Sequence, residues 1–94
     1  MDTRFEWDED KAAGNLDKHG VSFEDAIAVF EDFRSITIFD QSHSDDEDRY
    51  IDIGMSNQGQ ILTVVYTERG TRIRIISARN ATPREQKYYE DQEG

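Results

Sequence analysis

The sequence predicts an α+β fold, with a short N-terminal strand, two helices packed on an antiparallel sheet, and a C-terminal helix. Two kinds of periodicity support this prediction. Apolar residues recur at helical spacing before residue 31, and between residues 49 and 78 they alternate with polar residues as in half-buried strands. A length of 94 residues suits one domain, so we expect residues 1–94 to form a single core.

The first strand is expected at Phe5-Glu6-Trp7-Asp8, where apolar and acidic side chains alternate. Asp8 can then cap a first helix over residues 9–18, and Gly20 can end this helix in a left-handed conformation. We expect its buried side to consist of Ala12, Ala13 and Leu16.

The second helix is expected to begin after Ser22, whose hydroxyl can cap it, and to run to about residue 31. Four residues at i, i+3, i+4 and i+7 form its apolar stripe: Phe23, Ala26, Ile27 and Phe30. The last helix is expected over residues 83–91, because Thr82 can cap it, Pro83 suits the first helical position, and Glu85 completes a capping box.

Four further segments have the composition of strands, at residues 35–39, 49–55, 60–67 and 71–78. We expect a turn at Arg69-Gly70 that pairs Glu68 with Thr71, although a hairpin with a glycine bulge would shift the register by one. The face that packs on the helices then carries Leu62, Val64, Tyr66, Ile73, Ile75 and Ser77. Strand parity places Arg72 and Arg74 on the opposite face, together with Tyr50 and Asp52.

Charge is distributed unevenly along a chain whose formal net charge is −10. Residues 1–48 hold 4 basic against 15 acidic residues, whereas residues 49–94 hold 7 against 6. Such an asymmetry points to a polyanionic partner, even though the net charge repels nucleic acid at long range. Cysteine is absent, and neither a secretory signal nor an apolar run of membrane-spanning length is seen, so we expect a cytoplasmic protein without disulfides.

The arginines around the last strand allow two interpretations. Guanidinium groups at alternate strand positions lie about 6.6 Å apart, comparable to successive phosphates of a nucleic-acid strand. They could grip a phosphate backbone or stabilise the charge on a phosphorus undergoing displacement. Alternatively, Arg72 and Arg74 make solvated ion pairs with Asp52 or Glu68.

The residues also resemble those of a known family, the BrnT ribonuclease toxins of type II toxin-antitoxin systems. The matching motifs follow one another in order along nearly the whole chain: Phe5-Glu6-Trp7-Asp8, Lys11, Ala12, Asn15 and Leu16, then Lys18-His19-Gly20-Val21-Ser22-Phe23-Glu24-Asp25-Ala26, then His43, Asp46-Glu47, Arg49, Ile53-Gly54 and Arg72-Ile73-Arg74-Ile75-Ile76-Ser77-Ala78-Arg79. Each motif is weak alone, and their succession at matching spacing is specific.

The resemblance implies a RelE-like fold and an RNA endonuclease that needs no metal or other cofactor. It also implies neutralisation by a ribbon-helix-helix antitoxin, through which alone the toxin would contact DNA, and no contact with a membrane. On this model Arg72, Arg74 and Arg79 bind and stabilise the reacting phosphate, and His43, Glu47 and Tyr50 are candidates for proton transfer. The further cations expected to bind RNA are Arg49, Arg69, Arg84 and Lys87.

Non-catalytic interpretations of these residues also remain open. His43 and Glu47 can be solvated residues of an acidic loop, and that loop does not match a calcium-binding pattern, because Asp45 occupies its glycine position and Ile51 its final glutamate position. We therefore expect no metal site. The alternative function is a catalytically weak or silent binding module that acts with its antitoxin in operon repression.

Overall fold

The computed structural model describes residues 3–41 and 47–92. The elements follow one another as β1 (Phe5–Glu6), α1 (Glu9–His19), α2 (Phe23–Ala26), a 3-10 helix (Ile27–Glu31), β2 (Ile36–Asp40), β3 (Arg49–Met55), β4 (Ile61–Arg69), β5 (Arg72–Asn80) and α3 (Pro83–Glu90). None of the helices in these two ranges is long and apolar enough to cross a membrane.

In the described part of the chain, five strands form one sheet in the order β1-β5-β4-β3-β2. The neighbours β2 and β3, β3 and β4, and β4 and β5 are antiparallel, whereas β1 pairs with β5 in parallel. The fold is thus α+β, with a mostly antiparallel sheet and three α-helices among the described residues. The parallel pairing of β1 was not anticipated, because a two-residue strand carries no signal for its partner.

The caps that the sequence predicts are formed. Asp8 accepts hydrogen bonds from the backbone of Asp10 and Lys11, and Gly20 ends α1 with a φ of 71°. Thr82 and Glu85 form the full capping box of α3. The predicted second helix has the expected extent, but it is α-helical only as far as Ala26 and continues as a 3-10 helix.

The buried side of α1 differs from the prediction. Leu16 is 50% exposed, Ala13 is exposed, and the residue that α1 buries is Asn15. The Asn15 carboxamide is satisfied by backbone groups of Val21 and Ala78, which explains how a polar side chain can take the interior position.

The sheet packs an apolar cluster on each face. On one face α1, α2 and the 3-10 helix cover residues that include Leu62, Val64, Ile75 and Ala78. On the other face α3 contributes Tyr89, which packs with Ile53 and Ala81.

The register of β3 corrects one placement. Tyr50 pairs with Tyr66 and Asp52 with Val64, so both lie on the face that α1 and α2 cover. The expectation that Tyr50 and Asp52 share a face with Arg72 and Arg74 is therefore wrong. Parity within β3 was read correctly, but it does not tell which of its two sides meets the core.

The β4–β5 hairpin also differs from the predicted register. Arg69 pairs with Arg72 across a turn whose Gly70 has a φ of 61°, so the expected pairing of Glu68 with Thr71 is wrong. The shift is two positions in total and preserves parity, which leaves Arg72 and Arg74 on the face opposite α1 and α2. Further along, a bulge at Ile76 reverses the alternation, and Ser77 leaves the core face.

Candidate functional site

A group of four arginines lies on the sheet face opposite α1 and α2, and we call it the arginine face: Arg49, Arg69, Arg72 and Arg74. Arg49 and Arg74 are both in register with Thr67, so they flank it on the two neighbouring strands. The helix α3 covers the opposite end of this surface, at Thr63, which lies four residues, or about 13 Å, along β4 from Thr67. A concentration of cations at the end of the sheet face that α3 leaves open suits an anionic ligand.

Glu6 is held between two of these arginines. Its carboxylate accepts a hydrogen bond from Arg74 Nη1 at 2.9 Å, and its other oxygen lies 3.9 Å from Arg72 Nη1. The parallel pairing of β1 with β5 brings Glu6 into register with Arg74, 68 residues away in sequence. The sequence predicts no role for Glu6, because no local pattern indicates this contact.

Glu47 makes a bidentate ion pair with Arg69. The Nε and Nη2 atoms of Arg69 donate to the two carboxylate oxygens at 3.0 and 3.1 Å. The hydrogen bond from Arg69 lowers the pKa of Glu47, and Arg74 and Arg49 add to the effect at longer range. Glu47 therefore stays ionised and lies beside the arginine face, as a carboxylate that competes with any bound anion.

Arg79 is separated from the arginine face by its place at the far end of β5. The bulge turns its side chain to the same side of the sheet as Arg72 and Arg74, where it pairs with Thr63. There it donates two hydrogen bonds, of 2.7 and 2.9 Å, to the carboxylate of Glu85. The hydrogen bond from Arg79 is the main reason that the pKa of Glu85 falls to about 2.

Glu85 is the hub that fastens α3 to the sheet. Besides Arg79, it accepts hydrogen bonds from the hydroxyl of Thr63 and the backbone of Thr82. Arg79 thus has a structural role, in addition to any role in binding a ligand.

The remaining predicted site residues are dispersed. Tyr50 stacks on Tyr66 with ring centroids 5.6 Å apart, on the face away from the arginines. Arg84 is exposed on α3, and Lys87 lies 3.9 Å from Asp91 on the same helix. His43 lies outside the described residues. Within residues 3–41 and 47–92, no group of three or more histidine or acidic side chains is arranged to hold a metal ion.

Two carboxylates, of the buried Asp52 and the partly buried Asp32, serve the fold. Asp52 accepts a hydrogen bond from the hydroxyl of Tyr66 at 3.0 Å, and its burial raises the pKa of its carboxyl group. Asp32 is also desolvated, but hydrogen bonds from Tyr89 and from the backbone of Met55 and Arg34 outweigh this and lower its pKa. Its contacts tie the C-terminal helix to the end of β3.

The fold and the arginine face together define a small α+β protein with cationic side chains grouped at one end of its sheet. Residues 7–85 match the family model described as the ribonuclease toxin BrnT of type II toxin-antitoxin systems. Since this match spans most of the chain, the protein belongs to the BrnT ribonuclease toxin family.

A solved structure agrees with this assignment. The crystal structure of the Brucella abortus ribonuclease toxin BrnT superposes with a TM-score of 0.62 at 29% sequence identity, covering 81% of this chain and 92% of that one. A search of curated protein sequences found no significant match. Membership of a type II toxin-antitoxin family implies that an antitoxin is the protein's partner.

Proposed function

We propose that this protein is a metal-independent RNA endonuclease of RelE-like fold that acts in the cytoplasm and is neutralised by a ribbon-helix-helix antitoxin. It would contact DNA only through that antitoxin. The observation that carries the proposal is the pair Arg72 and Arg74, which flanks the carboxylate of Glu6 at the end of the sheet face that α3 leaves open. Two cations and one carboxylate thus lie close together, which supports binding of a single phosphodiester by all three.

In the proposed reaction the 2′-oxygen of the substrate attacks the adjacent phosphorus. The bond from the 2′-oxygen to phosphorus forms, the bond to the 5′-oxygen breaks, and the products are a 2′,3′-cyclic phosphate and a free 5′-hydroxyl. Arg72 and Arg74 stabilise the charge that builds on the phosphoryl oxygens, because guanidinium groups bind such oxygens through directed hydrogen bonds.

Proton transfer is assigned to carboxylate and imidazole groups. Glu6 accepts the 2′-proton once a phosphate has displaced it from one of its two arginines, and His43 is the proposed donor to the 5′-oxygen.

The other predicted site residues are assigned to RNA binding. Glu47 positions Arg69, and Arg49 and Arg69 bind neighbouring phosphates. Arg84 and Lys87 contact RNA from α3. No role is proposed for Tyr50, since its ring lies on the other face of the sheet. If Arg79 also stabilises the phosphate, it does so while it remains hydrogen-bonded to Glu85.

The central test is cleavage of RNA by the purified protein, freed of antitoxin, in the presence of EDTA. Arg74→Ala and Arg72→Ala should each lower the cleavage rate at least tenfold, which corresponds to about 1.4 kcal/mol of transition-state stabilisation. Lys18→Ala removes the same charge from the other side of the molecule and should leave the rate unchanged. Loss of cleavage on chelation would contradict the metal-free mechanism.

A second candidate function is the silent binding module, and one observation favours it. Arg69, Arg72, Arg74 and Arg79 each form an ion pair with a carboxylate of this chain, which weakens their attraction for RNA. Expression of the chain alone in a host separates the two functions. Growth arrest that the antitoxin reverses supports the nuclease, whereas normal growth with intact RNA and good yield of folded protein supports the binding module.

A further inference from the structure

A cleft of about 510 Å³ opens beside the arginine face, where β1 meets the first turns of α1 and α2. Its apolar lining consists of Phe5, Trp7 and Ile27. Three carboxylates and one guanidinium group line the rest of it: Glu6, Glu9, Glu24 and Arg72. The cleft thus joins an apolar surface to a rim that is mainly acidic.

The charges of the rim favour a cation over a phosphate backbone. Its carboxylates outnumber its guanidinium groups by three to one, and Arg72 is itself within 3.9 Å of Glu6. An incoming phosphate would meet this acidic rim in a chain that is already strongly negative. A lysine or arginine side chain would instead be attracted to it.

Trp7 is positioned to take part in such recognition. Its Nε1 donates a hydrogen bond of 2.7 Å to Glu9, and its ring meets Phe23 edge to face at 5.7 Å. These two contacts hold the indole in place in the wall of the cleft. A fixed indole beside carboxylates can bind the stem and the charged end of a basic side chain together.

We propose that this cleft binds a segment of the antitoxin in which a lysine or arginine is flanked by apolar residues. The proposal rests on the proposed function only in taking an antitoxin as the partner. Because Arg72 lines the cleft and Glu6 joins it to Arg74, the bound segment covers one end of the arginine face. Neutralisation then follows from the same contact that gives affinity.

The single tryptophan of the chain lies in this cleft, so its fluorescence reports on occupancy directly. Wild-type protein is titrated with overlapping tryptophan-free peptides that cover the cognate antitoxin and, separately, with an oligouridine RNA. A peptide that contains a basic residue between apolar ones should change the Trp7 emission, and its affinity should fall as the salt concentration rises.

The matched variants are two double substitutions of equal charge. Glu9→Gln with Glu24→Gln removes two carboxylates from the cleft, while the carboxamide introduced at position 9 can still accept the hydrogen bond of Trp7. This cleft variant should bind the whole antitoxin about tenfold more weakly by calorimetry. The control replaces the exposed Asp17 by Asn and Glu90 by Gln, away from the cleft, and should leave the affinity unchanged. Trp7→Phe is a second cleft variant and should also weaken binding of the antitoxin. It serves as the test if the first variant fails to fold.

The outcomes that overturn the inference are distinct from failure of the nuclease proposal. Equal affinities for the cleft variant and the wild type, or equal weakening in the control variant, would show that the cleft is not the binding site. Emission that responds to RNA but not to any antitoxin peptide would assign the cleft to RNA instead. A wild-type protein that binds antitoxin here yet cleaves no RNA would reject the nuclease and keep the docking site.

Discussion

The carboxamide of Asn15 pairs with the backbone of Ala78 in the manner of a neighbouring strand. Asn15 Oδ1 accepts from the Ala78 amide at 3.1 Å, and Nδ2 donates to the Ala78 carbonyl at 2.7 Å and to the Val21 carbonyl at 2.9 Å. The pair lies where β1 no longer covers the edge of β5, two residues past the bulge at Ile76. Asn15 thereby satisfies a buried strand edge and ties it to the end of α1.

Asn15→Leu should therefore destabilise the protein strongly. The substitution keeps the volume of the side chain but leaves the Ala78 and Val21 backbone groups buried without partners, at about 1–3 kcal/mol for each lost group. Urea unfolding should show a loss of at least about 2 kcal/mol. Leu16→Ala, one residue further and half exposed, should cost less than about 1 kcal/mol. Equal losses in the two variants would refute the role given to Asn15.

Gly54→Ala should be destabilising because the 3-10 helix packs directly on this position. A Cβ at Gly54 would lie 2.9 Å from Val29 Cγ1 and 3.0 Å from Ser35 Cβ, so one of these elements must move. We expect a cost of about 1–3 kcal/mol in the free energy of unfolding. Gly14→Ala is the matched control, since a Cβ there meets nothing within 4 Å inside α1, and it should stabilise the helix by about 0.5–1 kcal/mol.

The Glu85 hub should make stability depend on pH in the acid range. Because the pKa of Glu85 falls from 4.5 to about 2 on folding, its contribution is present above pH 4.5 and disappears as the pH falls towards 2. Glu85→Gln should lower the free energy of unfolding at pH 7 by about 1 kcal/mol, as for a partly exposed ion pair. The gap between wild type and variant should close between pH 4.5 and 2. A gap that stays constant with pH would mean that the ion pair is not its source.

Asp52→Asn should raise the free energy of unfolding at pH 7, whereas Glu85→Gln lowers it. Burial raises the pKa of Asp52 above 3.8, so folding favours its protonated form and stability falls as the pH rises through the pKa of the folded state. The asparagine removes the buried charge and retains an acceptor for the hydroxyl of Tyr66. Urea unfolding at pH 7 should show the variant to be more stable than wild type, with the advantage gone below pH 3.8. A less stable variant at pH 7 would disprove this account.

Some features of the candidate site were within reach of the sequence. Alternation along β5 separated Arg72 and Arg74 from the apolar core. This prediction is correct although the predicted hairpin register was wrong, because a register shift of two positions leaves each side chain on the same face of the sheet. The order of the family motifs along the chain indicated the BrnT family, and the match of residues 7–85 to the model of that family confirms it. One of the two interpretations of the sequence paired Arg72 and Arg74 with Asp52 or Glu68, whereas the carboxylate that they contact is that of Glu6.

By itself the sequence determined the local elements of this protein: the caps at Asp8 and Thr82, the helical stripe before residue 31, and the face of the early part of β5 on which its arginines lie. These depend on neighbours within a few residues, and periodicity records them. Only the tertiary structure decided that Glu6 lies between Arg72 and Arg74, that a bulge turns Arg79 to their side, and that Asn15 closes the edge of β5. Strand partners and bulges are set by contacts between distant segments, which no local pattern specifies.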